Sequence, residues 1–212
     1  MSIKYELQNI ISGNGSVRNG ENIQTITLYL RRKKETISAF KEAKFSKDKE
    51  VEILKGFITH SSLWYSEIDN SNYIGEGAEQ KIYEFSDPNF VIKLNDSVFY
   101  SFWEDYFNSL LIHNYFFPHL AYSLLGFNVI DNKLHAVVKQ IFVRATENTD
   151  LQNVKDFLAV NGFINKKNND YFNPDLGIIL EDLHDENVLT SEGVLQFIDT
   201  VFFLTKEFYK RD

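Results

Sequence analysis

Three times in this chain, two short apolar segments are separated by only three or four residues that favour turns. The paired segments are Ile82–Phe85 and Phe90–Leu94, Phe127–Ile130 and Leu134–Val143, and Val188–Thr190 and Val194–Ile198. Connections this short join neighbouring antiparallel strands, whereas a parallel pair needs a crossover of about a dozen residues or more. The chain is therefore predicted to form antiparallel sheets built from hairpins.

Two helices are predicted between these hairpins. In the first, apolar residues recur at intervals of three or four, and Pro118 ends the pattern. These residues are Phe99, Trp103, Tyr106, Leu110 and Phe117. The second helix is predicted over Thr149–Asn161, with Thr149 as its N-cap. Further strand-like segments follow it at Phe163–Asn165, Asp170–Phe172 and Leu176–Leu180. Strands and helices mixed in this order predict an α+β fold.

The segment before residue 65 is predicted to be an extension that packs on the rest. Apolar and more polar side chains alternate over residues 25–30, which indicates a half-buried strand. Two short amphipathic helices are predicted after it from the apolar residues Phe40, Val51, Leu54 and Ile58. Residues 61–72 show no regular pattern and are predicted to be a loop.

Composition excludes several classes of protein. The chain has 22 basic and 30 acidic side chains, and a net charge of -8 disfavours non-specific binding to nucleic acid or anionic lipid. Because there is no cysteine, a disulfide scaffold, a thiolate zinc site and a cysteine nucleophile are excluded. No apolar run approaches the ~20 residues of a membrane helix, and no secretory signal is recognisable. We therefore expect a cytoplasmic protein without a membrane partner.

The first candidate for chemistry is the loop that contains Gly75 and Gly77, just before the first hairpin. Glycines let backbone N–H groups approach phosphate oxygens without interference from a Cβ atom. Two glycines near a turn are also common for conformational reasons alone. No helix opens after this loop, so it is not a dinucleotide-binding fingerprint.

Lys93, which closes the second strand of that hairpin, is the next candidate. An ammonium group that faces inward needs an anionic partner, because burying it unpaired is too costly. A nucleotide phosphate would serve, as would a carboxylate from the following helix. Glu104 is the expected carboxylate and Asp105 the alternative. The competing interpretation is a lysine that ends a strand in solvent.

Asp182, Asn187 and Asp199 complete the candidate set, around the last hairpin. Asn187 and Asp199 are expected side by side, since one precedes the hairpin and the other follows it. One neutral and one charged oxygen ligand suit Mg²⁺, which takes water and substrate phosphates as its other ligands. Asp182, near the metal but not bound to it, could accept the proton of an attacking hydroxyl group.

In chain order these residues resemble the working parts of the protein-kinase-like superfamily. The segment Asp182–Asn187 is similar to that of the aminoglycoside and choline phosphotransferases. Longer strings resemble a narrower group, the kinase-like domains of bacterial polyvalent proteins carried by mobile elements. These strings are Glu76–Lys81, His113–Pro118 and Gly177–His184. The resemblance covers about residues 70–205.

The resemblance implies a truncated, two-lobed kinase-like fold over residues 66–212, preceded by the extension of residues 1–65. An N-lobe with an antiparallel sheet would end near residue 139, a hinge would span 139–143, and a reduced C-lobe would occupy 144–212. Backbone groups of Gln140 and Phe142 would lie near the adenine ring.

The implied activity is ATP- and magnesium-dependent transfer of the γ-phosphate to a hydroxyl acceptor that the sequence does not reveal. Lys93, helped by Glu104, would orient the phosphates, with Gly75 and Gly77 in the covering loop. Asn187 and Asp199 would then bind the metal, and Asp182 would act as the base.

Departures from the superfamily pattern leave an alternative open. Gln80 replaces the third loop glycine, Leu180 replaces a histidine, and Thr200-Val201 replaces Phe-Gly after the metal aspartate. Only the 13 residues 200–212 follow Asp199, too few for the platform that holds a peptide substrate. Either the acceptor is small, or a partner or a second copy of the chain completes the site, or phosphate is not transferred. The alternative function is therefore a catalytically inactive, pseudokinase-type module that binds a nucleotide or a partner.

Overall fold

The computed structural model describes residues 2–39, 45–77 and 80–210. Phe40, part of a predicted N-terminal helix, and Ala78 and Glu79 of the glycine-containing loop lie outside the described residues. The described chain combines helices with antiparallel sheets, as predicted. No described helix is both long and apolar enough to span a membrane.

Helices dominate the beginning of the chain, and strands dominate the rest. The first helices are α1 (Ile3–Ser12), α2 (Glu21–Ala39) and α3 (Lys47–His60). The middle elements are β1 (Tyr73–Glu76), β2 (Gln80–Glu84), β3 (Phe90–Asn95), α4 (Trp103–Phe116), β4 (Ser123–Ile130) and β5 (Lys133–Ile141). The last are α5 (Leu151–Val160), β6 (Ile164–Lys167), β7 (Asp170–Asn173), β8 (Ile178–Glu181), β9 (Val188–Ser191), β10 (Val194–Phe197) and β11 (Val201–Leu204).

Strands β1 to β5 form one antiparallel sheet in the order β1-β2-β3-β5-β4. The predicted hairpins β2–β3 and β4–β5 are both present, with the first turn at the predicted proline. Strand β3 lies in the middle of the sheet, and its last five residues are buried. Lys93 on this strand is opposite Ile82 of β2 and Val138 of β5. The sheet thus places a lysine in the protein interior.

The strand predicted over residues 25–30 is wrong, because these residues belong to α2. Ile23, Ile26 and Leu30 are fully or almost fully buried, and their spacing of three and four residues places them on one face of a helix. Thr27 adds a hydrogen bond from its hydroxyl group to the Ile23 carbonyl oxygen, at 2.7 Å. Over only six residues, the alternation of apolar and polar side chains expected of a strand cannot be distinguished from the apolar spacing of a helix. The pattern over the whole of residues 21–39 identifies the helix.

Helix α4 is the centre of the hydrophobic core, with contacts to α2 and to β11. Trp103, Phe107 and Leu111 are almost completely buried along it. Its first turn is stabilised by Asp105, whose Oδ2 accepts a hydrogen bond from the Phe102 amide at 3.1 Å. The predicted helix is therefore present, and it lies between the N-terminal helices and β11.

Two smaller sheets follow, a four-stranded one in the order β11-β8-β7-β6 and the hairpin β9–β10. Helix α5 precedes them, at the predicted place. Its N-cap is Asp150 and not Thr149, since Asp150 Oδ1 accepts a hydrogen bond from the Gln152 amide at 2.8 Å. Thr149 instead bonds the Thr190 hydroxyl at 3.1 Å, which ties the start of α5 to β9.

Candidate active site

A cleft of about 520 Å³ lies between the large sheet and the loops of the last hairpin. Its walls come from β1, β2 and β3, from the end of β5, and from the segments around β9 and β10. All but one of the residues predicted for the site line it: Gly75, Gly77, Lys93, Gln140, Phe142, Asp182, Asn187 and Asp199. The exception is Glu104.

Lys93 is the most deeply buried charged group of the cleft, with its residue only 3% exposed. Its Nζ donates a hydrogen bond to the Ile198 carbonyl oxygen at 2.8 Å and lies 3.9 Å from Asp199 Oδ2. The Tyr122 ring is 5.5 Å away, and the Tyr122 hydroxyl donates to the same carbonyl oxygen. Burial lowers the pKa of Lys93, and the negative charge of Asp199 opposes that effect.

The predicted pair between Lys93 and Glu104 does not form. Glu104 Oε1 binds Arg31 Nε at 2.9 Å, and Oε2 lies 3.6 Å from Lys34 Nζ, both on α2. Asp105, the alternative partner, caps α4 instead. Both carboxylates belong to the first turn of α4, which faces α2 and α3, so neither side chain is near β3.

Helix α4 contacts the segment that follows Asp199 through Ser109 and His113, one turn apart. Ser109 Oγ accepts a hydrogen bond from the Phe202 amide at 2.9 Å. His113 Nδ1 lies 2.7 Å from the Thr200 hydroxyl, and its Nε2 lies 3.2 Å from the Leu120 carbonyl oxygen. Since a carbonyl only accepts, Nε2 carries the proton and the Thr200 hydroxyl donates to Nδ1. Burial lowers the pKa of His113 to about 3, so the ring is neutral.

Asp199 is held beside Asn187 by the backbone of the last hairpin. The Asn187 carbonyl oxygen accepts hydrogen bonds from the amides of Ile198 and Asp199, at 3.0 and 3.2 Å. The Asp199 side chain is 27% exposed. Gln80 Nε2 lies 2.7 Å from each of its two carboxylate oxygens. The expected neighbours are therefore adjacent, together with a glutamine from β2.

Asp182 and Asn187 are linked across the loop that follows β8. Asn187 Nδ2 donates to the Asp182 backbone oxygen at 2.8 Å and lies 3.1 Å from Asp182 Oδ2. Asp182 has a φ of 63°, in the left-handed region that costs most residues about 1 kcal/mol or more. Its own amide bonds Asp170 Oδ1 at 3.2 Å. The loop thus holds an exposed carboxylate at the cleft in a strained backbone conformation.

The glycines of the loop leave open space above their backbone. A Cβ atom at Gly75 or Gly77 would meet nothing within 4 Å among the described residues. Packing among the described residues therefore does not require glycine there, which agrees with room for a ligand. The Gly77 amide is already used, since it donates to the Gln80 carbonyl oxygen at 2.9 Å.

The predicted hinge contacts are partly occupied. The Phe142 amide donates to the Asn89 carbonyl oxygen at 2.8 Å, so this N–H group is not free to bind adenine. Gln140 pairs with Val91 in the sheet, and its side chain donates to the Leu120 carbonyl oxygen at 2.9 Å. Both residues line the cleft, but β3 pairs with β5 along the edge that faces it, so the backbone of Gln140 is used within the sheet.

The donor set at the base of the cleft fits a magnesium ion bound with a nucleotide. Within the described chain, Asn187 Oδ1 has no hydrogen-bond partner, and the Asp199 carboxylate is partly exposed. The described residues contain no cluster of three or more His, Cys, Asp or Glu side chains that could hold a metal. An ion with two protein ligands that completes its shell with phosphate and water oxygens is typical of Mg²⁺.

The model of one protein family, the serine/threonine/tyrosine kinases found in polyvalent proteins, matches residues 47–206. The chain belongs to this family. The assignment confirms the predicted resemblance and supports a kinase-like phosphotransferase in general terms. No curated protein and no solved structure matches the chain significantly. The matched segment begins with α3 and ends just after β11.

Three residues of this kinase-like domain that shape the cleft were not predicted for the site. Gln80 could have been found, because the register of the β2–β3 hairpin places it on the same face of the sheet as Lys93. Tyr122 and His113 carry no comparable signal. Tyr122 contacts Ile198, which lies 76 positions later in the chain, and His113 contacts Thr200, which lies 87 positions later.

Proposed function

We propose that this kinase-like domain is a phosphotransferase that uses ATP and Mg²⁺ and transfers the γ-phosphate to a hydroxyl group. The observation that carries the proposal is the buried ammonium group of Lys93, 3.9 Å from Asp199 in the cleft. Among the described residues it has one hydrogen-bond acceptor, Ile198 O. An ammonium group has three donors, so two remain for phosphate oxygens.

The residues of the chain divide the chemistry among them. Lys93 binds phosphate oxygens, and Asn187 and Asp199 would hold the metal. A bound Mg²⁺ neutralises the charge on the phosphates. Asp182 accepts the proton of the acceptor hydroxyl group. At the same time the oxygen of that hydroxyl group forms a bond to the γ-phosphorus, and the bond from the γ-phosphorus to the β–γ bridging oxygen breaks. The products are a phosphorylated acceptor and ADP, and the loop backbone holds Asp182 in place for this step.

A two-lobed arrangement is part of the proposal. The five-stranded sheet with α4 would form the N-lobe, and the elements from α5 to β11 would form a reduced C-lobe. The position of the cleft between these two groups of elements supports it, because every proposed site residue lies at their junction. Residues 139–143 would join the lobes.

A second function, a binding module without transfer, is favoured by one observation. The amide group of Gln80 already occupies both oxygens of Asp199. If that contact persists with a nucleotide bound, the metal site would remain incomplete and the cleft would bind without transferring phosphate. In this case a small ligand or another chain would be recognised through the same cleft.

A thermal-shift titration with ATP and MgCl₂ tests both functions, with Asp199→Asn as the matched variant. At 100 times its dissociation constant a ligand adds ~2.7 kcal/mol of stability, which raises the Tm by about 5–10 °C for a chain of this size. We expect this shift in the wild type and loss of its magnesium-dependent part in Asp199→Asn.

Release of the γ-phosphate to water, to small hydroxyl compounds or to the protein itself, measured with labelled ATP, separates the two functions. A shift together with transfer supports the phosphotransferase, and a shift without transfer supports the binding module. A wild type whose Tm responds to no nucleotide would contradict both.

A further inference from the structure

Gln80 lines the cleft but has no part in the proposed transfer. Its Nε2 lies 2.7 Å from both carboxylate oxygens of Asp199. It opens β2 two residues before Ile82, which pairs with Lys93, so Gln80 and Lys93 lie on the same face of the sheet. The Asp199 carboxylate is therefore held between an ammonium group and an amide group.

This contact competes with a cation on physical grounds. Hydrogen bonds from an amide to a carboxylate are charge-assisted and stronger than neutral ones. The N–H groups carry partial positive charge at the oxygens that a divalent cation would also have to reach. An amide hydrogen and a cation cannot share one lone pair, so a cation that binds Asp199 on the side facing Gln80 must displace the amide group.

Resting on the proposed function, we propose that Gln80 is a positioning residue of the metal site that competes with the divalent cation for Asp199. In the absence of the cation it fixes the carboxylate beside Lys93. Gln80 also closes the glycine-containing loop, since its carbonyl oxygen accepts from the Gly77 amide at 2.9 Å. Binding of the cation therefore frees the side chain that connects this loop to Asp199.

The test is the affinity for Mg²⁺ and Mn²⁺ alone, measured by calorimetric titration of wild type and Gln80→Ala without nucleotide. We expect Gln80→Ala to bind each cation about tenfold more tightly, the size of one lost competing hydrogen bond. Its Tm without cation should fall, because a stabilising contact is lost. A purely structural role for Gln80 would lower the Tm without strengthening cation binding.

Gln80→Glu is the second variant. A carboxylate at this position repels Asp199 when no cation is bound and adds a ligand when one is. We expect a larger gain in cation affinity than in Gln80→Ala, and a larger fall in the Tm without cation.

The matched control is Gln152→Ala on α5. Gln152 Nε2 also donates to an aspartate, Asp156, at 2.7 Å, but on the exposed surface. Cation affinity should not change in this variant. Unchanged or weaker cation binding by Gln80→Ala would overturn the proposal that Gln80 competes with the cation for Asp199. Cation binding that is unchanged in Asp199→Asn overturns the proposed metal site instead. If neither the wild type nor Gln80→Ala binds a cation, with or without ADP, both proposals are overturned.

Discussion

Two clusters of charged side chains lie near opposite ends of α4, and they differ in how their carboxylates are satisfied. The helix-end cluster consists of Glu50 and Glu104 with Arg31 and Lys34. Each oxygen of Glu50 accepts a backbone amide of α4, Trp103 at 2.6 Å and Glu104 at 3.1 Å. Each oxygen of Glu104 faces a cation of α2. In this cluster every carboxylate oxygen has a partner within the chain.

The cleft cluster, Lys93, Asp199 and Gln80, is less complete. The ammonium group of Lys93 has one hydrogen-bond acceptor in the described part of the chain, and Asp199 is partly exposed. Both clusters contain buried charge, which is costly unless it is paired. In the helix-end cluster the partners of each carboxylate belong to the fold itself, whereas a charge with donors to spare is available to a ligand. The comparison thus separates a structural cluster from a functional one.

Lys93→Met should have the largest effect, because it removes the donors that the cleft keeps free. We expect phosphate transfer to fall by ~10²-fold or more, and the ATP-induced rise in Tm to be lost. The matched control is Lys133→Met, since Lys133 is an exposed lysine 3.5 Å from Asp96. Equal losses in the two variants would contradict a special role for the cleft cluster. Labelled ATP and thermal shift provide the measurements.

Glu50→Gln addresses the helix-end cluster through pH. Burial raises the pKa of Glu50 from 4.5 to about 7, although the two amide hydrogen bonds lower it; Glu104 adds to the rise and Lys34 opposes it. Between these values the folded state binds more protons than the unfolded state, so stability falls as the pH rises. From pH 5 to pH 8 this group should cost the wild type about 2 to 3 kcal/mol of unfolding free energy.

Chemical denaturation of wild type and Glu50→Gln over this pH range measures that difference. The unfolding free energy of the variant should increase relative to that of the wild type as the pH rises, because burial does not penalise a neutral amide. The neutral His113 destabilises both proteins equally in acid, so its effect cancels. Glu52→Gln, an exposed neighbour on α3 paired with Lys49, is the control and should show no such trend. A difference that does not depend on pH would show that Glu50 does not titrate in this way.

Glu104→Gln should have the smallest effect of the three and sharpens the comparison most directly. It removes the charge that faces Arg31 and Lys34, and we expect a loss of about 1 kcal/mol in unfolding free energy. The ATP-induced shift should remain, because Glu104 lies outside the cleft. Loss of nucleotide binding in this variant would mean that Glu104 pairs with Lys93 after all.

Local sequence patterns predicted most of the strands and failed where distant packing decides. The hairpins were predictable because short turns fix antiparallel pairing, and with it the position of Lys93 in β3. The orientation of the first turn of α4 was not, because it depends on how α2 and α3 pack on it. For that reason Glu104 was assigned to Lys93, whereas its partners come from a helix some 70 residues earlier.

The contact between Lys93 and the last hairpin could be predicted only from the order in which the motifs follow one another along the chain. Tyr122 and His113 hold the 198–200 segment in place, and this role is visible only in the three-dimensional structure. The sequence marked Gln80 as a departure from a glycine pattern, and its contact with Asp199 required the structure.

Glu50 has a consequence for where the functional unit starts. Its helix, α3, lies before residue 66, the boundary expected from sequence, but inside the segment matched to the kinase family. A shortened polypeptide that began at residue 66 would lose the acceptor for two amides at the start of α4. Loss of these two hydrogen bonds, together with loss of the packing of α3, would loosen α4 from its first turn onward. Disorder beginning there would spread along the same helix to Ser109 and His113, and so reach Thr200, the residue next to Asp199.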